Sequence, residues 1–186
     1  MFTSDNGPWL SKGAHAGRAL PLRDGKGTTY EGGMRVPFIA WAPGRIPAGA
    51  VSKELACVMD FYPTFASLAG AALPKDRVID GKDVLPVLEC RRGAKSPHER
   101  FYYYSKGGEL EAVRAGSMKL RLAKGAGRGK AKGSAGAAEL YDLGADVGEA
   151  RDLAAERPDV VRALTGEMAA FDAELVRASR PAGTVI

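Results

Sequence analysis

The residues best suited to chemistry lie near the start of the chain. Asp5 and Asn6 stand side by side in Ser4-Asp5-Asn6-Gly7-Pro8. A carboxylate beside a carboxamide offers the oxygen donors that a hard cation prefers. Further on, Lys26 sits between glycines in Gly25-Lys26-Gly27-Thr28-Thr29-Tyr30-Glu31-Gly32-Gly33. A lysine there is a compact positive charge for an anionic group, and the glycines let backbone pass close to a neighbour. Together these residues suggest part of a site for a metal and an oxyanion. Two side chains do not complete such a site, so Asp5 and Asn6 read as part of it. Each has a plainer reading as well. Asp-Asn-Gly-Pro makes an Asx turn at a strand end, and Lys26 reads as a surface lysine in a glycine turn. Glu31 is expected to hydrogen-bond loop backbone beneath the glycines. His15 reads equally as a loop histidine bonded to backbone.

These residues need a framework. The chain has 186 residues, 45% of them hydrophobic, enough for one domain or a large piece of a bigger one. The net charge of +5 is spread along the chain rather than gathered in a stripe, which argues against a nucleic-acid footprint. The one dense basic run, within residues 124–137, is glycine-rich and lacks aromatic residues for base stacking, so it reads as a flexible loop. Cys57 and Cys90 fit no zinc or redox spacing. No apolar run reaches the ~20 residues of a membrane span, and the first residues carry no signal pattern.

Phe2-Thr3 reads as the end of a buried strand that delivers Asp5. The apolar run 36–42 reads as a strand covered on both faces. Residues 60–69 read as a helix capped by Asp60, with Phe61, Phe65 and Leu68 on one face. A short helix or turn is expected over 82–89. Beyond Gly93 the character changes. Strands are expected at 101–104, 110–114, 118–122 and 139–143, with one wet face on the third. Tyr103 should point opposite to Tyr102 and Tyr104. Residues 157–177 form the clearest helix, with Val160, Leu164, Met168, Phe171 and Leu175 along one face. An antiparallel sheet closed by that helix buries these surfaces.

Ser4-Asp5-Asn6-Gly7-Pro8, the Gly25–Gly33 run and Arg35-Val36-Pro37-Phe38 occur in this order. Pro43-Gly44-Arg45-Ile46-Pro47, Asp60-Phe61-Tyr62-Pro63-Thr64 and Ile79-Asp80-Gly81-Lys82-Asp83 follow, and later Leu140-Tyr141-Asp142-Leu143. The series resembles the type I sulfatases, the arylsulfatase family of the alkaline-phosphatase-like superfamily. The resemblance implies an α/β fold: residues 1–92 as the end of the sulfatase domain, and 93–186 as a small C-terminal α+β subdomain of antiparallel sheet plus one amphipathic helix. It implies a sulfuric ester hydrolase assisted by calcium, with Asp5 and Asn6 as two calcium ligands and Lys26 contacting the sulfate. His15 falls in a loop bordering that pocket. The family's nucleophile, a formylglycine from a Cys/Ser-x-Pro/Ala-x-Arg motif, is expected upstream, because neither Cys57 nor Cys90 fits the motif.

The resemblance thus implies the C-terminal part of a sulfatase, inactive alone, whose partners are a sulfate-ester substrate and an N-terminal part of the enzyme. A truncated frame or a split gene would produce such a chain. Many bacterial relatives are exported, which makes a periplasmic or secreted place compatible. Two other functions compete. A phosphoryl-ester hydrolase handles an equally tetrahedral oxyanion with the same metal and lysine. A non-catalytic fragment or interaction module would use the basic loop instead.

Overall fold

A computed structural model describes residues 1–122 and 138–179 of the chain. The basic run 124–137 lies outside the described residues. The chain forms two contact units that interleave in sequence: Met1–Thr3 with Phe38–Glu99, and Ser4–Pro37 with the residues from Arg100 onward. Each is described separately.

The second unit is built on a four-stranded antiparallel meander. Its strands are β3 (Arg100–Tyr104), β4 (Leu110–Ala115), β5 (Met118–Arg121) and β6 (Glu139–Asp142), paired in that order. Val113 pairs with Leu120 and Leu120 with Leu140, so three apolar side chains line up across the sheet. They meet Leu164 and Met168 of α4 (Pro158–Ala178), and these five residues are the core of the unit. Full burial of such side chains contributes roughly 1.5–3 kcal/mol each. Pro158 opens α4, where its missing N–H costs nothing. Tyr102 extends the seam, its ring stacked on Phe171 at 3.6 Å and nearly parallel. Tyr103 takes the opposite face, as alternation predicts, and is buried there.

That opposite face departs from expectation. The wet face expected at Arg121 also carries Lys119 by alternation, yet Lys119 is fully buried. Residues 23–31 and Glu149 cover it. This segment includes α1 (Glu31–Met34), one short turn of helix whose first three residues are buried. A register shift between Tyr103 and Tyr104 leaves Glu111 as an extra residue in β4. Such a bulge re-aims a side chain, and Glu111 joins the polar face. The sheet therefore has an apolar face under α4 and a dry, charged face under the glycine-rich segment.

In the first unit, β1 (Phe2–Thr3) pairs antiparallel with β2 (Phe38–Ile39). The strand expected over 36–42 is reduced to two paired residues. Its apolar side chains are uncovered, Trp41 being 80% exposed. An apolar run says that a strand suits cover on both faces; it does not supply the cover. Phe2 is likewise exposed rather than buried. The expected helix is α2 (Phe61–Leu68), entered through a 3₁₀ turn at Val58–Asp60. Its buried side is Pro63 and Thr64, not the Phe65–Leu68 face. Thr64 Oγ1 accepts the Val84 N–H at 3.0 Å just ahead of α3 (Leu85–Leu88). The Phe38 and Phe61 rings meet at 5.8 Å.

Asp60 proves to be more than a cap. Its carboxylate makes no capping bond to α2. It accepts the Cys57 N–H at 2.8 Å and the Lys82 N–H at 2.8 Å, and His98 Nε2 lies 2.7 Å away. One buried carboxylate thus ties three distant stretches together. Cys57, Asp60 and His98 present ligand atoms within 4.8 Å of one another. The carboxylate is occupied by its three partners, and the thiol stays protonated. Burial, reinforced by the Asp60 charge, pushes the Cys57 thiol up to about 12. A raised acid pKa favours the neutral form in the fold. The resulting stability is present below the ordinary thiol range and is lost as pH rises from about 9 towards 12. At pH 8, Cys57 should therefore react with iodoacetamide at least tenfold more slowly in the folded chain than in urea. Equal rates in mass-spectrometric labelling would contradict this.

Candidate functional site

Asp5, Asn6, His15 and Lys26 all belong to the second unit. The turn that carries Asp5 and Asn6 is closed by the Ser4 hydroxyl, which donates to the Asn6 carbonyl at 2.9 Å. It is then laid directly on the glycine-rich segment. The Lys26 N–H donates to the Pro8 carbonyl at 2.9 Å, and the Gly7 N–H to the Gly33 carbonyl at 3.4 Å. Two glycines make this approach possible. A Cβ on Gly7 would fall 1.9 Å from the Gly32 carbonyl oxygen, and one on Gly25 would fall 2.4 Å from the Pro8 carbonyl oxygen. Backbone is on backbone at both points, so only hydrogen fits. The local fold thereby sets Asn6 and Lys26 on adjacent strands of chain.

The segment is fixed from below by the dry face of the sheet. Lys119 Nζ lies 2.9 Å from Glu31 Oε1 and 2.8 Å from Glu149 Oε1. The first is a hydrogen bond. The second is a close ion pair off the hydrogen-bond axis, since Glu149 Oε1 has no aligned donor. Glu149 Oε2 instead accepts the Glu31 N–H at 2.7 Å. Glu31 is structural, as expected, but its carboxylate serves Lys119 and not the loop backbone. Arg121 Nε donates to Thr29 Oγ1 at 2.9 Å, and Thr29 donates on to Glu111 Oε2 at 2.9 Å. Arg121 also donates to the Tyr30 hydroxyl and to Glu139, both at 2.9 Å. Arg23 donates to the Tyr141 hydroxyl at 2.9 Å. Burial, then the Glu139 carboxylate, pushes the Tyr141 phenol up to about 12, so it stays a neutral partner at physiological pH.

Above this base lies an open cleft of about 620 Å³ whose lining includes Asn6, Trp9, Arg18 and Arg35. Asp5, Lys26 and His15 do not line it. Asp5 and Lys26 are exposed. His15 is exposed too, at the end of the 3₁₀ helix Leu10–His15, next to Ala16 of the cleft wall. Trp9, half exposed, links the groups: Lys12 Nζ and Lys26 Nζ lie 4.6 and 4.7 Å from its ring centroid. Sequence reasoning gave no site role to Trp9, Lys12, Arg18 or Arg35, and Arg35 entered only within the Arg35-Val36-Pro37-Phe38 motif. The three-residue spacing of Trp9 and Lys12 was the available signal; the 3₁₀ helix that uses it has no apolar period to reveal it.

A cation-rich cleft beside an Asp-Asn turn, on a mixed α/β framework, suits a protein that handles tetrahedral oxyanions. The chain is related to the sulfatases. Residues 1–71 match the sulfatase family profile. The N-acetylgalactosamine-6-sulfatase of Canis lupus familiaris is 50% identical over 123 residues, covering 66% of this chain and 23% of that enzyme. Among solved structures, the PsFucS1 sulfatase from Pseudoalteromonas sp. superposes with a TM-score of 0.80 at 29% identity, over 97% of this chain and 38% of that one. BT4656, solved in complex with its substrate D-glucosamine-2-N,6-O-disulfate, gives a TM-score of 0.62 at 26% identity, over 91% of this chain and 33% of that one. The chain thus spans about a quarter to two fifths of the length of these relatives. Among the described residues, no helix is long and apolar enough to cross a membrane.

Proposed function

We propose that this chain forms one wall of a sulfate-ester hydrolase site, with Asp5 and Asn6 as oxygen ligands for calcium and Lys26 as a contact to the sulfate group. The observation that carries this reading is the glycine-mediated docking of the Asp5-Asn6 turn on the Lys26 segment. The donor set fits a hard cation, because both side chains offer oxygen. Calcium, when bound there, would neutralise charge on the sulfate oxygens. Lys26 would hold one sulfate oxygen by its ammonium group, and His15 would face the remainder of the substrate from the neighbouring loop. The substrate class is a sulfated saccharide, by analogy with the substrate bound to BT4656. The nucleophile, a formylglycine in the sulfatase resemblance, comes from sequence outside these residues.

The test is complementation. The chain alone should hydrolyse no aryl sulfate. Mixed with the N-terminal portion of a related sulfatase bearing its formylglycine, it should restore turnover in the presence of calcium. Lys26→Ala should lower kcat/KM of the mixture by about 10²–10³-fold, the range seen when a charge-stabilising donor is removed. Full turnover by the chain alone, or an unaffected Lys26→Ala mixture, sinks the assignment. Preference for aryl phosphate over aryl sulfate would favour phosphoryl-ester chemistry instead.

A further inference from the structure

We propose that the surface around Trp9, where the Lys12 and Lys26 side chains meet the rim of the cleft, selects a saccharide bearing at least two anionic groups, one held by Lys26 and a second by Lys12 with Arg18 and Arg35 of the cleft wall, with Trp9 positioning the two lysines. The inference rests on the sulfate-contact reading of Lys26 and adds the specificity of that site.

Four cations carry it. Lys12 and Lys26 both lie within 4.7 Å of one ring centroid, which caps the separation of their ammonium groups at twice that distance. A separation up to that limit can match two substituents of one sugar ring. Arg18 and Arg35 line the adjoining cleft. Beneath the glycine-rich segment, by contrast, Lys119 pairs with Glu31 and Glu149 and Arg121 with Glu139. Among the described residues, Lys12, Lys26, Arg18 and Arg35 have no carboxylate partner.

Holding two ammonium groups at one ring is unfavourable by mutual repulsion, and the indole face offsets part of that through its quadrupole. A monoanion relieves one of them. A ligand with two suitably spaced anionic groups relieves both, and guanidinium forks in the cleft pair with sulfate or carboxylate in a bidentate manner. Arg18 and Arg35 also lengthen the reach beyond one ring. The cleft has room for a monosaccharide and remains open for a second unit.

The experiment is calorimetric titration of the 186-residue chain with inorganic sulfate, N-acetyl-D-glucosamine 6-O-sulfate and D-glucosamine-2-N,6-O-disulfate at moderate salt. The disulfated sugar should bind at least tenfold more tightly than the monosulfated one. Lys12→Met, or Arg18→Met with Arg35→Met, should bring the two within about twofold of each other. Lys26→Met should weaken all three ligands. Trp9→Leu should abolish the preference and Trp9→Phe should restore most of it, with circular dichroism unchanged in both. Equal binding of the mono- and disulfated sugars by the parent chain overturns the inference and leaves the Lys26 reading intact. So does a preference that survives the Lys12 and arginine changes. A thymidine octanucleotide that binds more tightly than the disulfated sugar overturns it too, since the cleft is then a general polyanion surface. Indifference to Lys26→Met overturns the sulfate-contact reading and the inference with it. No binding of any sugar overturns both.

Discussion

Lys119→Met should destabilise the second unit by about 3–5 kcal/mol, the cost of breaking a buried ion pair from one side. Lys119 is fully enclosed, and so are the two carboxylates it serves. Removing the ammonium leaves Glu31 and Glu149 facing each other without a cation in a dry site. A domain's whole stability is of the order of 5–15 kcal/mol, so much of it would be gone. Urea unfolding of the parent and variant gives the number directly. The partner experiment separates charge from packing: adding Glu31→Gln and Glu149→Gln to Lys119→Met removes the stranded charges and should return a large part of the loss. A single variant within about 1 kcal/mol of the parent would show that the network is solvated and not the support described above.

Gly7→Ala should act on the site with less effect on the sheet. Its new methyl would sit 1.9 Å from the Gly32 carbonyl oxygen, and neither partner is a side chain that can swing away. Overpacking of this kind costs roughly 1–3 kcal/mol. The turn bearing Asp5 and Asn6 must lift, which breaks the Lys26 N–H bond to Pro8. Hydrogen exchange at the Lys26 amide should accelerate at least tenfold, while the amides of β4 and β5 keep their protection. If the Lys26 amide exchanges as in the parent, the turn is not held by this contact and the placement of Asn6 beside Lys26 loses its structural cause.

The sheet and its helix were legible in the sequence because one face of each is apolar with a plain period. Val113, Leu120 and Leu140 alternate, and Leu164 and Met168 step along α4. The other face was misread for a physical reason. Lys119 and Arg121 look like solvent-facing residues unless one knows that Glu31, Glu139 and Glu149 arrive from other stretches of chain. Periodicity reports which side chains share a face, and it is silent on what covers that face. The same limit explains Asp60. A helix start preceded by aspartate reads as a cap, whereas its partners Lys82 and His98 lie far along the chain. In the site, Asp5, Asn6 and Lys26 stood out through glycine spacing and the sulfatase resemblance. Lys12 and Trp9 did not, because a cation resting on a ring leaves no motif.

The dry charged face also bears on how such a chain can be recombined. Its matched partners are separated by 82 to 118 positions: Thr29 with Glu111, Glu31 with Lys119 and Glu149, Arg23 with Tyr141. A chimera joined anywhere between residues 40 and 99 would look conservative, since it leaves both the glycine-rich segment and the C-terminal sheet intact. It would nevertheless pair the loop of one parent with the sheet of another across seven or more polar contacts. The two halves are in this sense inherited as one unit, and exchanging either alone is expected to unseat the segment that carries Lys26.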